Sequence, residues 1–329
     1  MDLNVSPNQL DGWIPIRVYW NERRPFLDWC WIGNRRFTEP FFDHTIDVAL
    51  RLPFSNLFRP QTPIEVLQER YASNPGLEPQ GFIFHMSRCG STLVSQMLSA
   101  VPKSLMISEA GSIDSVLRLR FDNPALTEEN RSDLLRWMVS AIGQRRSGTE
   151  EHLFIKFDSW TALDLQIIHQ TFPAVPWVFL FRDPIEVMVS QLARRGAHMV
   201  PGVIQPELFG MTAESIYQMR AEEYCTRVLA CVCQAILEHH SVRPGILINY
   251  RELPKAVFDR IAPHFALELS EIDRETMLGV MLRDAKNPDV RFESDSQAKR
   301  ESATDEVRAA VGRWLTPVYD QLADLQVIS

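Results

Sequence analysis

Short apolar runs alternate along most of this chain with longer stretches of helical period. The runs are GFIF (Gly81 to Phe84), SLMI (Ser104 to Ile107), HLFIKF (His152 to Phe157), WVFLF (Trp177 to Phe181) and GILINY (Gly245 to Tyr250). Between them, Ser91 to Ala100, Arg131 to Ile142, Ala162 to Gln170, Pro184 to Arg194 and Thr212 to His239 carry helix-like spacing. Strands without polar alternation are buried on both faces, so the pattern predicts an α/β fold, a parallel sheet flanked by helices.

The segment before this alternation differs. Two aromatic-rich runs, IPIRVYW (Ile14 to Trp20) and PFLDWCWIG (Pro25 to Gly33), predict a hairpin, and PFFDHTIDVAL and PIEVLQERYA follow with helical spacing. A turn-rich connector, Ala72 to Gly81, suggests a boundary, with residues 1–80 an extension and 81–329 the α/β domain. After Arg283 a polar loop is expected, then helices over Thr304–Leu315 and Pro317–Leu325.

Composition narrows the function classes. The 329 residues are 45% hydrophobic and carry a net charge of −8, which argues against broad binding to nucleic acid or membrane surfaces. No run approaches the roughly 20 apolar residues of a membrane span. The first residues, MDLNVSPNQLDGW, lack the basic start and apolar core of a signal peptide, so a cytoplasmic location is the expectation. Five cysteines, odd in number and unpatterned, fit that compartment, and no His/Cys spacing predicts a metal site. Oligomeric state has no signal in the sequence.

The candidate chemistry begins at HMSRCGSTLVSQML, His85 to Leu98, a loop between the first sheet strand and a helix. Helix starts carry about half a positive charge and point N–H groups outward. Gly90 permits a sharp turn, Ser91 and Thr92 supply hydroxyls, and Arg88 supplies a cation. Together they predict a phosphate or sulfate cradle. It is not a Walker loop, because His85 stands where the first glycine would and Ser91 where the lysine would.

SRCGSTL resembles the 5′-phosphosulfate loop of sulfotransferases that use 3′-phosphoadenosine 5′-phosphosulfate (PAPS), usually PRSGST or PKSGTT. Ser87 and Cys89 depart from those forms. The resemblance implies that the backbone of Cys89, Gly90, Ser91 and Thr92, with Arg88, holds the 5′-phosphosulfate. A second piece is WVFLFRDPIEVMVSQLARR, where the family has R-[DN]-P and a serine eight residues after the arginine. Arg182 and Ser190 match and are implied to hold the 3′-phosphate. On the residues alone, Asp183 is a good N-cap and Pro184 a good first helical residue. Arg182 is then a cation at the positive end of a helix, which needs either a ligand anion or a carboxylate beside it.

Glu109 stands 21 residues after Arg88, the spacing of a catalytic glutamate in the protein-tyrosine sulfotransferase branch. The resemblance makes it the general base; otherwise it complements the next helix's N-terminus. Lys156 ends an apolar strand, where a buried cation needs a partner. The family's corresponding lysine contacts the transferring sulfuryl group. Two residues on, where the cytosolic branch has a catalytic histidine, this chain has Asp158, the second candidate base. Tyr250, in ILINYREL, matches a tyrosine near the adenosine. Ser296, Lys299 and Arg300, in RFESDSQAKRES, match a loop that closes over the nucleotide.

The resemblance covers roughly Gly81 to Leu325 and implies sulfuryl transfer from PAPS, with PAP as product, to a hydroxyl on a small molecule or peptide. No metal is expected. The alternatives are a P-loop kinase-like phosphotransferase, with Asp158 as metal ligand, or a nucleotide-binding protein without turnover. Trp13, Trp20, Trp29 and Trp31 are open to two readings, an apolar acceptor site or the core of the hairpin.

Overall fold

All five apolar runs enter one parallel sheet. In the computed structural model, which describes residues 10–21, 24–280 and 296–328, they form β4 (Pro79–His85), β5 (Ser104–Ser108), β6 (His152–Lys156), β7 (Trp177–Phe181) and β8 (Ile246–Asn249). Their order across the sheet is β5-β6-β4-β7-β8. The chain leaves β4 toward one edge for β5 and β6 and returns past it for β7 and β8, so the direction of winding reverses beside β4. In such sheets the crevice outside the carboxyl ends of the strands, at that reversal, is where ligands bind. Phe82, Ile83, Phe84, Phe154, Val178 and Phe179 are each fully buried, as strands covered on both faces require.

A second, antiparallel sheet comes first in the chain. It consists of β1 (Trp13–Asn21), β2 (Arg24–Trp31) and a short β3 (Gln61–Pro63), in that order. The hairpin is the expected one, with Trp13 opposite Trp31 and Asn21 opposite Arg24. The tryptophans serve its packing. Trp29 is fully buried and donates Nε1–H to Thr62 at 2.9 Å, and Trp13 meets Trp31 edge-on at 5.5 Å. The sheet packs on the helices Gly111–Asp122 and Glu128–Ile142, where Trp20 Nε1 donates to Asp122 Oδ2 at 3.1 Å.

Several expected boundaries shift. The long helix expected from Thr212 is two, Ala213–Gln218 and Ala221–Val242, broken where Met219 and Arg220 turn extended. The helix Gly111–Asp122 was not anticipated, because Gly111, Ser112, Asp114 and Ser115 dilute its apolar period. The polar loop expected after Arg283 lies largely outside the described residues; its last part is a helix, Ser296–Glu301. Among the described residues no helix is long and apolar enough to cross a membrane.

Candidate active site

The loop after β4 is made of backbone that L-residues adopt reluctantly. Ser87, Arg88 and Gly90 have φ of 75°, 53° and 85°. Of the four non-glycine residues with left-handed φ among those described, three (Ser87, Arg88 and Glu109) lie at these strand ends. Each costs on the order of 1–3 kcal/mol, and such strain clusters at functional sites. Gly90 has a further reason to be glycine. A Cβ there would stand 2.7 Å from Leu253 Cδ1 and 2.9 Å from Tyr250 Cδ2.

Polar contacts fix the turn. The Ser87 N–H donates to His85 Nδ1 at 3.0 Å, and Gln191 Nε2 donates to Ser87 Oγ at 2.7 Å. Cys89 is turned inward. Its Sγ donates to the Leu180 carbonyl at 3.1 Å, and burial pushes the thiol up to about 12. Cys89 therefore anchors the loop to β7 and can serve a cradle only through its backbone. Ser91 and Thr92 are buried at the helix start, and the Arg88 guanidinium donates to the Arg194 carbonyl.

Strand register assembles the second group. Lys156 at the end of β6 pairs with Ser108 of β5 and with Ile83 of β4. The next residue after Ser108 is Glu109, whose N–H donates to the Lys156 carbonyl at 2.7 Å. Its carboxylate Oε1 lies 2.9 Å from Lys156 Nζ and 3.2 Å from His85 Nε2. Lys156 is fully buried, and its ammonium stands 4.9 Å from the centre of the Phe41 ring. Lys156 is thus no snorkelling surface lysine, and Glu109 is more than a helix-end charge.

Two carboxyls here are pushed apart. Burial opposes ionisation of Glu109, but the Lys156 ammonium and then His85 outweigh it and hold the carboxyl well below the usual carboxylate range. Asp158 goes the other way. Burial, then the negative charges of Glu109 and Asp114, raise it well above its ordinary value despite Lys156. The two neighbouring carboxyls are thus driven in opposite directions, Glu109 toward ionisation and Asp158 away from it. Asp158 lines a crevice with Asp114, Lys156, Phe157 and Thr161, and Glu109 reaches it through its pairing with Lys156. His198 lies 3.1 Å from Ser159 Oγ; burial, then the charges of His85 and Arg88 against that of Glu109, push its imidazole down to about 3.

At β7 a carboxylate of the chain stands beside Arg182. Asp183 caps the following helix through Ile185 and Glu186 N–H, as expected. The anion beside Arg182 is supplied by the chain. Arg182 Nε donates to Glu186 Oε2 at 2.6 Å, one guanidinium nitrogen donates to Ser296 Oγ at 3.0 Å, and the group lies 4.0 Å over the Tyr250 ring. Glu186 Oε1 in turn pairs with Arg300 at 2.6 Å. Burial works against the Glu186 charge, but Arg182, Ser296 and Arg300 hold its carboxyl below the usual range. Ser190 lies one turn beyond Glu186 on the same helix. Arg182, Tyr250, Ser296 and Arg300 are brought together, and Lys299 is half-buried on the same short helix.

Sequence reasoning missed His85, Phe41, Asp114, Glu186 and His198. Glu186 had a signal, since it is four residues after Arg182. His85 had one too, as a polar residue closing an apolar strand. Phe41 had none, because it reaches Lys156 only through packing of the N-terminal segment. Among the described residues no group of three or more His, Cys, Asp or Glu side chains could hold a metal.

No family model matches the chain, and no curated protein does. Among solved structures it is similar to the sulfotransferase STF9 of Mycobacterium avium, with 11% identity and a TM-score of 0.46 over 76% of this chain and 81% of that one. It is also similar to the sulfotransferase domain of the Synechococcus olefin synthase, with 15% identity and a TM-score of 0.40 over 77% and 96% of the two chains. A sulfotransferase of Alicyclobacillus acidocaldarius aligns with 13% identity and a TM-score of 0.38 over 74% and 99%.

Proposed function

We propose that the chain transfers a sulfuryl group from PAPS to an acceptor hydroxyl. The observation that carries this reading is the Glu109–Lys156–His85 constellation beside the strained Ser87–Gly90 turn, at the carboxyl end of the sheet. It supplies an ionised carboxylate and a buried ammonium at the strand ends next to a helix start.

In this reading the backbone of Cys89 to Thr92 and Arg88 hold the 5′-phosphosulfate. Arg182, Tyr250, Ser296 and Arg300, with Ser190 and Lys299 nearby, form the 3′-phosphate and adenosine side. Glu109 takes the proton of the acceptor hydroxyl as its oxygen bonds to sulfur. The bond from sulfur to the 5′-phosphate oxygen breaks, and its electron pair leaves with PAP. Lys156 and Arg88 neutralise charge on the sulfuryl oxygens and the leaving phosphate. Such transfer rests on positioning and electrostatics.

The paired state of Glu109 has a consequence for its basicity. While Lys156 and His85 hold it, its low pKa makes it a weak base. When the sulfuryl oxygens share Lys156, that hold weakens and the carboxylate becomes more basic as the acceptor proton must be taken. Among the described residues Asp158 has no cation as close as Lys156 is to Glu109, at 2.9 Å, and burial disfavours its charge, so Glu109 is the base in this reading. Residues 1–80 form the acceptor side, a role supported by Phe41 against Lys156 and by Asp43, whose pKa is raised by burial, then Asp47, with Glu109 adding to it.

The test is nucleotide choice. PAP without metal should raise the melting temperature, by linkage about 2.7 kcal/mol at 100 times its dissociation constant. Stabilisation by ATP with magnesium and none by PAP would transfer the reading to a phosphotransferase.

A further inference from the structure

Four large apolar side chains stand out from the N-terminal unit within seven residues. Leu52, Phe54, Leu57 and Phe58 are 52, 48, 77 and 58% exposed. Phe54, Leu57 and Phe58 have i, i+3, i+4 spacing along the short helix Pro53–Leu57 and its C-cap, so they share a face. The turn is held from behind. Phe58 N–H donates to the Phe54 carbonyl at 2.9 Å and Ser55 Oγ to the Trp31 carbonyl at 3.2 Å. The Phe54 ring rests 6.0 Å from both Trp13 and Trp31. Exposed arginines stand at either end of the knob: Arg51 at its start, and at its end Arg59, which also pairs with the buried Asp28 at 3.2 Å.

We propose that residues 51–59 dock on a lipid surface bearing anionic headgroups. Packing behind the knob holds its apolar face in water, and exposed apolar patches of this kind mark contact surfaces. Area decides against a second copy of the chain. At roughly 200 Å² per large side chain the exposed fractions come to less than about 500 Å², against roughly 800 Å² per partner in a stable protein interface. Aromatic and leucine side chains with flanking arginines match the boundary of headgroups and acyl chains, where no large mating surface is needed. The net charge of −8 excludes a broad electrostatic attachment but not a local apolar one.

The knob is tied to the crevice by one helix. Phe42–Leu50 begins next to Phe41, which faces Lys156, and ends at Arg51; its nine residues span about 13 Å. Resting on the sulfotransferase reading, this places the acceptor among amphiphiles, with its hydroxyl near headgroup level.

Flotation of the full chain tests the docking, with vesicles of phosphatidylcholine alone or mixed with phosphatidylglycerol, and without nucleotide. The wild type should float with both, more with the anionic mixture. Leu57→Ser with Phe58→Ser, at side chains already mostly in water, should keep the melting temperature and lose about tenfold or more in vesicle partitioning. Arg51→Gln should lose only the increment due to phosphatidylglycerol. Equal flotation of wild type and the double variant, or none by either, overturns the proposal. So does light scattering that finds a wild-type dimer and a monomeric double variant. Flotation needs no nucleotide and PAP binding needs no vesicle, so each reading can fail alone.

Discussion

Two cation–carboxylate pairs stand at the ends of neighbouring parts of the sheet, and they do different things. Lys156–Glu109, at β6 and β5, leaves the carboxylate side chain 22% exposed, with His85 as a second neighbour. Arg182–Glu186, at β7, buries the carboxylate to 2% and engages both its oxygens with arginines. The first pair keeps an edge open for a reacting hydroxyl. The second is closed on itself and ties the helix Ser296–Glu301 to the helix that follows β7. A salt bridge alone therefore does not mark a reactive site; what matters is whether the carboxylate retains an open side.

Neutralising each carboxylate should separate the two pairs most widely. Glu109→Gln should cut turnover by roughly 10²–10⁴ while PAP binding stays near wild type, with folding verified by circular dichroism because Lys156 loses its counter-charge. Asp158→Asn should do much less. If Asp158→Asn abolishes turnover and Glu109→Gln is nearly silent, the open carboxylate has been misassigned.

Glu186→Ala should act on stability instead. Breaking one side of a buried pair costs about 3–5 kcal/mol, measurable by urea unfolding. A loss under 1 kcal/mol would mean that Arg182 is held by Ser296 and Tyr250 without it.

Arg182→Ala should weaken PAP about 10- to 150-fold, the worth of one charge-assisted hydrogen bond, and adenosine 5′-phosphate far less. Titration calorimetry of both ligands decides it, and equal losses would show that Arg182 does not read the 3′-phosphate. Ser190→Ala should cost PAP only several-fold, about 1 kcal/mol. An unchanged affinity would mean that Glu186 keeps the serine out of the site.

A further difference separates the two ends by pH. His198, beside the open pair, has a folded pKa of about 3, below its unfolded value near 6.5. Between those values the unfolded chain binds the extra proton, so stability rises with pH there and is lost as pH falls, by up to ~1.4 kcal/mol per unit. Unfolding midpoints at pH 7 and pH 5 should differ less in His198→Gln than in wild type. An identical difference would remove His198 from the acid response.

Much of this was legible because fully apolar strands leave little freedom in where they go. Arg88, Glu109, Lys156 and Arg182 each follow or end such a run, so a parallel sheet must set them at one edge. The tryptophans of the hairpin could not be resolved from the sequence, since alternation tells which residues share a face and not what covers it. Glu186 shows a different limit. The sequence called for an anion near Arg182, and the chemistry of a ligand phosphate and of a carboxylate four residues away is the same at that distance. Phe41 depends on how the N-terminal sheet packs, which no local period encodes.

The left-handed backbone at Ser87 and Arg88 bears on how this chain responds to selection. A library sorted for heat resistance alone should enrich glycine at either position where relief of the strained backbone outweighs the lost hydrogen bonds to Gln191 and Arg194, because glycine takes that conformation freely. Such winners would melt later and hold anions worse. Screens on this protein therefore have to weigh ligand retention together with survival, or the fitter scaffold will be the emptier one.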